Sequence, residues 1–152
     1  MTESLKTLLN LKNILVITLL ISLGCVDRKP YFNPKNIEKI RFFYLPKGLN
    51  PDHSIVNCKE IFSCPKEIIS DTIIKNKKFI TKFISNINSL EYTSNKRNYD
   101  FRIMCLIKDK KKKIKKLCFG TNYLIVFEGK EMKYNNEIFE LIDSTLYKNV
   151  QY

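Results

Sequence analysis

The sequence predicts an α+β domain, an antiparallel β-meander sheet carrying two amphipathic helices on one face. Three observations predict it. Short runs rich in β-favouring side chains are separated by turn residues, two apolar stripes recur at helical spacing, and each stripe follows an asparagine suited to cap a helix.

Taken in order, Ile37 to Leu45 reads as a strand that stops at Pro46. Pro46 to Pro65, with Gly48, Pro51 and two cysteines, reads as an irregular excursion, and Ile68 to Ile74 as a second strand. Asn76 caps a helix whose Phe79, Ile80, Phe83, Ile84, Ile87 and Leu90 form one stripe. Tyr99 to Lys108 is a strand whose Phe101, Ile103, Cys105 and Ile107 share a face. The run Asp109 to Lys113 turns the chain, and Ile114 to Phe119 returns with Leu117 and Phe119 on the apolar side. Gly120-Thr121-Asn122 is the next turn, and Tyr123 to Phe127 is apolar on both faces, as in a central strand. After Glu128-Gly129-Lys130 a short strand surrounds Met132 and Tyr134. Asn135 or Asn136 then caps a helix bearing Ile138, Leu141, Ile142, Thr145 and Leu146.

The N-terminus has a different character. Lys6 and Lys12 precede an apolar run from Ile14 to Leu23, then Gly24 and Cys25. The run is too short to span a bilayer, which takes roughly 20 apolar residues, but suits an export signal of about 7–15. This order resembles the signal peptide of a bacterial lipoprotein, with a relaxed box in which Ser22 and Leu23 precede the Gly-Cys pair. The Ser-Leu form is similar to that of Bacteroidetes lipoproteins, and the later strand, Ile/Phe-rich helix, basic hairpin and terminal helix are similar in layout to small members of that group. The resemblance implies cleavage before Cys25 and lipidation of its thiol, the site to which palmitate would be added. It also implies residence on the cell envelope with the domain outside the cytoplasm, in either the inner or the outer membrane. The expected organisation is a signal peptide over residues 1–24, a lipidated cysteine and tether over 25–36, and one α+β domain over 37–152.

Removing residues 1–24 takes away Lys6, Lys12 and Glu3, so the formal charge of +12 becomes +11. Lysine carries most of it, for arginine occurs only at positions 28, 41, 97 and 102. A lysine-dominated surface gives a diffuse field rather than bidentate phosphate recognition, which argues against nucleic acid as a partner. The densest charge is at Lys110, Lys111, Lys112 and Lys113, a solvated turn that also discourages strand aggregation. These four lysines are the candidate contact surface for anionic lipid or an envelope protein.

With Cys25 lipidated, Cys58, Cys64, Cys105 and Cys118 remain, and an exported compartment permits disulfides. Cys58 and Cys64 flank five residues and can close a small loop, making them the candidate pair. Strand parity points Cys105 into the core and Cys118 away from it, which disfavours a Cys105–Cys118 bridge.

Catalytic patterns are weak. Asp52, His53 and Ser54 contain the residue types of a hydrolase triad, but adjacent residues do not normally converge as a triad must. His53, Cys58 and Cys64 match no established zinc spacing, and Glu137, Glu140 and Asp143 suit a solvated helix face. The chain's glycines, Gly24, Gly48, Gly120 and Gly129, form no phosphate loop. No cofactor or metal is expected. The sequence points to a membrane-anchored envelope lipoprotein with a non-enzymatic binding domain. The alternative is an envelope immunity or inhibitor protein that neutralises a toxin or hydrolase.

Overall fold

Asn76 and Asn135 accept hydrogen bonds from the N–H groups of Phe79 (3.1 Å) and Ile138 (3.0 Å), each three residues ahead. Those caps start two helices, α1 (Lys77–Asn88) and α2 (Asn136–Leu146). A computed structural model describes residues 30–49, 53–94 and 97–148. The expected signal segment and Cys25 lie outside the described residues.

Six strands form one sheet: β1 (Ile37–Tyr44), β2 (Ser70–Ile74), β3 (Phe101–Asp109), β4 (Ile114–Gly120), β5 (Ile125–Phe127) and β6 (Lys130–Met132). Their spatial order is β2-β1-β3-β4-β5-β6, and each neighbouring pair is antiparallel. The α+β class therefore holds. β3 to β6 are a simple meander, whereas β1 lies between β2 and β3, so α1 carries the chain across β1. At the β6 edge, Tyr92 bridges Met132, Thr93 N–H donates to the Glu131 carbonyl (3.1 Å) and Lys133 N–H to the Glu91 carbonyl (2.7 Å). That segment covers backbone groups which an edge strand would otherwise present.

Residue parity divides the side chains into two layers. Phe42, Cys105, Leu117 and Phe127 lie in register across four strands and share one core with Ile80, Phe83, Ile84 and Ile87 of α1. Ile138, Ile142 and Leu146 of α2 join the same core, so both helices cover one face. Each fully buried aliphatic or aromatic side chain contributes roughly 1.5–3 kcal/mol relative to exposure, and this layer holds most of them.

The next register row, Phe43, Met104, Cys118 and Val126, points to the opposite face. That face is also covered. Leu45, Ile55 and Ile61 from the excursion after β1 pack on Met104, Cys118, Leu124 and Val126 as a second, smaller core. The excursion is tied down by polar contacts. Ile55 N–H donates to Asp100 Oδ1 (3.2 Å), Phe101 N–H to the Ile55 carbonyl (2.8 Å), and Arg102 Nη1 to the Leu49 carbonyl (2.7 Å).

Two local expectations are corrected. Phe101 does not share a face with Ile103 and Cys105. The β3–β4 register shifts between Phe101 and Ile103, and this bulge turns Phe101 into the second core. Tyr123 is not in a strand. Thr121 to Leu124 closes a two-residue hairpin turn in which Leu124 N–H donates to the Thr121 carbonyl (3.2 Å), with Asn122 and Tyr123 at φ 54° and 57°. A tight β4–β5 hairpin needs positive φ at both central positions, and that demand overrides the strand propensity of tyrosine.

Candidate functional site

Cys58 is bonded to Cys118, with Cα atoms 5.9 Å apart and a separation of 60 positions in sequence. This corrects the expected Cys58–Cys64 pairing. Cys58 opens a six-residue 3-10 helix, Cys58–Ser63, which Asn57 starts by capping Lys59 N–H (3.1 Å) and pairing reciprocally with Glu60. The helix lies on the back of the sheet, where Cys58 and Ile61 are buried, while Cys64 follows it as a half-buried free thiol. Cys118 does face away from Cys105, but that side is covered by the second core rather than left outside it, and this is what puts Cys118 within reach of Cys58. A usable signal was present in the apolar Ile55 and Ile61 of a segment otherwise read as irregular.

A cleft of about 230 Å³ opens beside the disulfide, lined by Val56, Tyr99, Phe101, Val126, Lys116 and Glu128. Partial burial raises the Glu128 carboxyl, but hydrogen bonds from Lys115 and the Lys116 N–H, with the charges of both lysines, leave it below its usual value. A carboxylate held as an anion between lysines is poorly suited to act as a general acid.

The other candidate chemistry does not assemble. His53 and Ser54 are exposed, and Asp52 lies outside the described residues. Cys58 is oxidised, so it offers no thiolate to a metal or substrate. Cys105 is fully buried, and burial pushes its thiol pKa well up. Asp143 is paired with Lys47 (2.7 Å), and Glu140 accepts a hydrogen bond from Asn136. Among the described residues, no group of His, Cys, Asp and Glu is arranged to hold a metal ion. Glu131 is a buried carboxylate that sequence reasoning missed. Its side chain is 4% exposed and takes Arg97 Nε at 2.6 Å, while Arg97 Nη1 reaches the Asn122 carbonyl (3.1 Å). The pair ties the segment after Tyr92 to the β4–β5 turn, which is a structural role.

No family model, curated protein or solved structure matches this chain.

The remaining feature is charge. Lys110, Lys111, Lys112 and Lys113 are all exposed at the β3–β4 turn. Lys112 adopts φ 65°, and Asp109 Oδ1 accepts the Lys113 N–H (2.8 Å), so the turn is formed by backbone and Asp109 rather than by the lysine side chains. Lys110 N–H donates to the Asn36 carbonyl (2.8 Å), fastening the turn to the residue before β1. Beside it, the Lys108 ammonium lies 2.9 Å from Glu38 and is the main cause holding that carboxyl below its usual value. Burial opposes this, and the charges of Lys108, Lys39 and Lys75 add to it.

Proposed function

We propose that this protein is a membrane-anchored lipoprotein of the bacterial cell envelope, held by a lipid on Cys25, whose domain binds another component there without catalysing a reaction. The observation that carries this reading is the Cys58–Cys118 disulfide. It joins segments 60 residues apart and has both sulfurs within the second core. Structural disulfides persist in oxidising compartments and are rare where thiols are kept reduced. The cross-link is therefore independent support for export, separate from the Lys, apolar run, Gly, Cys order at residues 6–25 that suggests the anchor.

The dispersal of the titratable residues supports a binding rather than a catalytic role. His53 is exposed, Cys58 is oxidised, Cys105 is buried, and Asp143 and Glu131 are neutralised by Lys47 and Arg97.

Metabolic labelling with a palmitate analogue tests the anchor. Label should appear on the wild-type chain and vanish in Cys25→Ser, with the variant leaving the membrane fraction or staying unprocessed. Unchanged labelling of Cys25→Ser would defeat the anchor. Affinity capture from detergent-solubilised envelopes tests the binding role. A single stoichiometric toxin or hydrolase would instead favour an immunity protein.

A further inference from the structure

We infer that the end of the domain built around the Lys110–Lys113 turn is a membrane-apposed surface that seats on anionic lipid headgroups, with Ile114 as its apolar contact. This rests on the anchored-lipoprotein reading for the orientation of the chain, but the surface itself stands on separate observations.

The first is where the chain joins the domain. Lys110 N–H is bonded to the Asn36 carbonyl, and Ile37 is in register with Asp109, so the basic turn and the start of β1 occupy the same end of the sheet. Phe32 is already buried in the first core against Phe127, which is in register with Leu117 of β4, and from Phe32 back to Cys25 the covalent chain can reach no more than about 25 Å. An anchor at Cys25 therefore keeps this end near the bilayer.

The second is the distribution of charge. Lys35, Lys39, Lys108 and Lys115 surround the turn, while the carboxylates there are already engaged. Glu38 is held by Lys108, Glu128 by Lys115, and Asp109 by the Lys113 N–H. Other carboxylates are paired too, as in Arg41–Asp71, Lys47–Asp143 and Arg102–Asp100. The eight lysines at this end, against Glu38, Asp109 and Glu128, leave it a formal charge of +5 (8 − 3) where the chain would arrive from the membrane.

The third is Ile114, which directly follows the lysines and is 59% exposed. An apolar side chain ringed by lysines suits the headgroup boundary, where the ammonium groups meet phosphates and the alkyl group enters the acyl edge. An acidic protein would be served by the charge but gives Ile114 no particular role. A bilayer uses both.

Each lysine near an anionic surface multiplies partitioning by about fivefold, and the effect fades beyond the screening length. The test uses the purified full chain carrying Cys25→Ser, which removes the acyl anchor, and vesicles of phosphatidylcholine alone or with roughly one-third phosphatidylglycerol. Binding to the anionic vesicles should exceed that to the neutral ones by at least about tenfold at roughly 50 mM salt, and the excess should vanish near 0.5 M. Replacing Lys110, Lys111 and Lys113 with serine and Lys112 with asparagine, which tolerates its positive φ, should abolish most of the excess. Replacing all four with arginine should preserve it, which separates loss of charge from loss of fold. Ile114→Ser should weaken binding without changing its salt dependence. A Lys66→Ser, Lys148→Ser control should bind as the parent does.

Equal partitioning onto both vesicle types would overturn the inference, as would equal losses in the control. Binding to polyglutamate without binding to vesicles would overturn it in favour of an acidic protein. The anchor is judged separately by Cys25 labelling. Charge-dependent vesicle binding without a labelled Cys25 keeps the surface and loses the anchor, and the opposite pattern does the reverse.

Discussion

Cys58 and Cys118 join the excursion after β1 to the back of β4, so the second core is closed covalently as well as by packing. The bond's main thermodynamic effect is on the unfolded chain, whose 60-residue loop it closes. In the chain-entropy account a loop of that size is worth about 4 kcal/mol. The Cys58→Ala, Cys118→Ala variant should lose between about 2 and 4 kcal/mol in urea denaturation. Peptide mapping without reduction should recover a Cys58–Cys118 pair with Cys64 and Cys105 free. A Cys58–Cys64 peptide would contradict the structure.

Cys105 lies in the first core with its thiol pKa driven up by burial. The folded state therefore keeps it protonated where the unfolded chain would ionise. The resulting stability is fully present below the ordinary thiol value of 9.0 and is lost as pH rises from there through the folded-state value. Native protein at neutral pH should alkylate at half-buried Cys64 and leave Cys105 untouched until denaturant is added. Mass spectrometry of the labelled peptides checks this, and rapid native labelling of Cys105 would refute it.

Tyr123 holds a left-handed backbone, which costs a non-glycine residue about 1–2 kcal/mol. Its ring offsets this by packing 4.9 Å from Tyr134 and 5.3 Å from Phe139, centroid to centroid, at about 0.5–1.5 kcal/mol per aromatic pair. Tyr123→Ala loses the rings and keeps the strain, whereas Tyr123→Gly loses both. Glycine should therefore be more stable than alanine at this position by about 1 kcal/mol. Paired denaturation curves measure the difference, and equal midpoints would count against the turn.

Gly120 ends β4 where the backbone of Asp100 crosses closely. A Cβ placed there would stand 2.6 Å from the Asp100 carbonyl oxygen, which is main chain and cannot swing aside. Gly120→Ala should cost about 1–3 kcal/mol by forcing the strands apart. The loss should appear as a lower melting temperature, with Gly48→Ala as a contrast. Gly48 has open space around its Cα, so its penalty comes from its φ of 79° alone.

Acidification should weaken the Arg41–Asp71 pair. The Arg41 hydrogen bond is the main cause that lowers the Asp71 carboxyl, against some burial, with the Arg41 charge assisting. A depressed carboxyl contributes stability above its ordinary value of 3.8, and this is lost as pH falls through the folded-state value. Both side chains are more than a third exposed, so Asp71→Asn should cost no more than about 1 kcal/mol at neutral pH. The variant should also flatten the acid limb of the melting profile.

The candidate surface was more legible than the disulfide. Four consecutive lysines between two β runs can hardly be other than an exposed turn, and Lys110 to Lys113 are exposed in one. Their attachment to Asn36 was not legible, because a backbone hydrogen bond between residues far apart leaves no mark on composition. Phe101 and Tyr123 show the same limit. Their local types admitted several conformations, and the contacts around them selected one.

Local chemistry by itself determined the helices, their asparagine caps, the strand faces turned toward the helices except at Phe101, and the opposite pointing of Cys105 and Cys118. These follow from side-chain periodicity and from the shape of single residues, which act over a turn of helix or a pair of strands. Tertiary structure alone decided that β1 runs between β2 and β3, that the excursion covers the back of the sheet, and that Cys118 finds Cys58. Parity says which side of a sheet a cysteine faces. Only packing of Leu45, Ile55 and Ile61 against that side brings a distant partner to it.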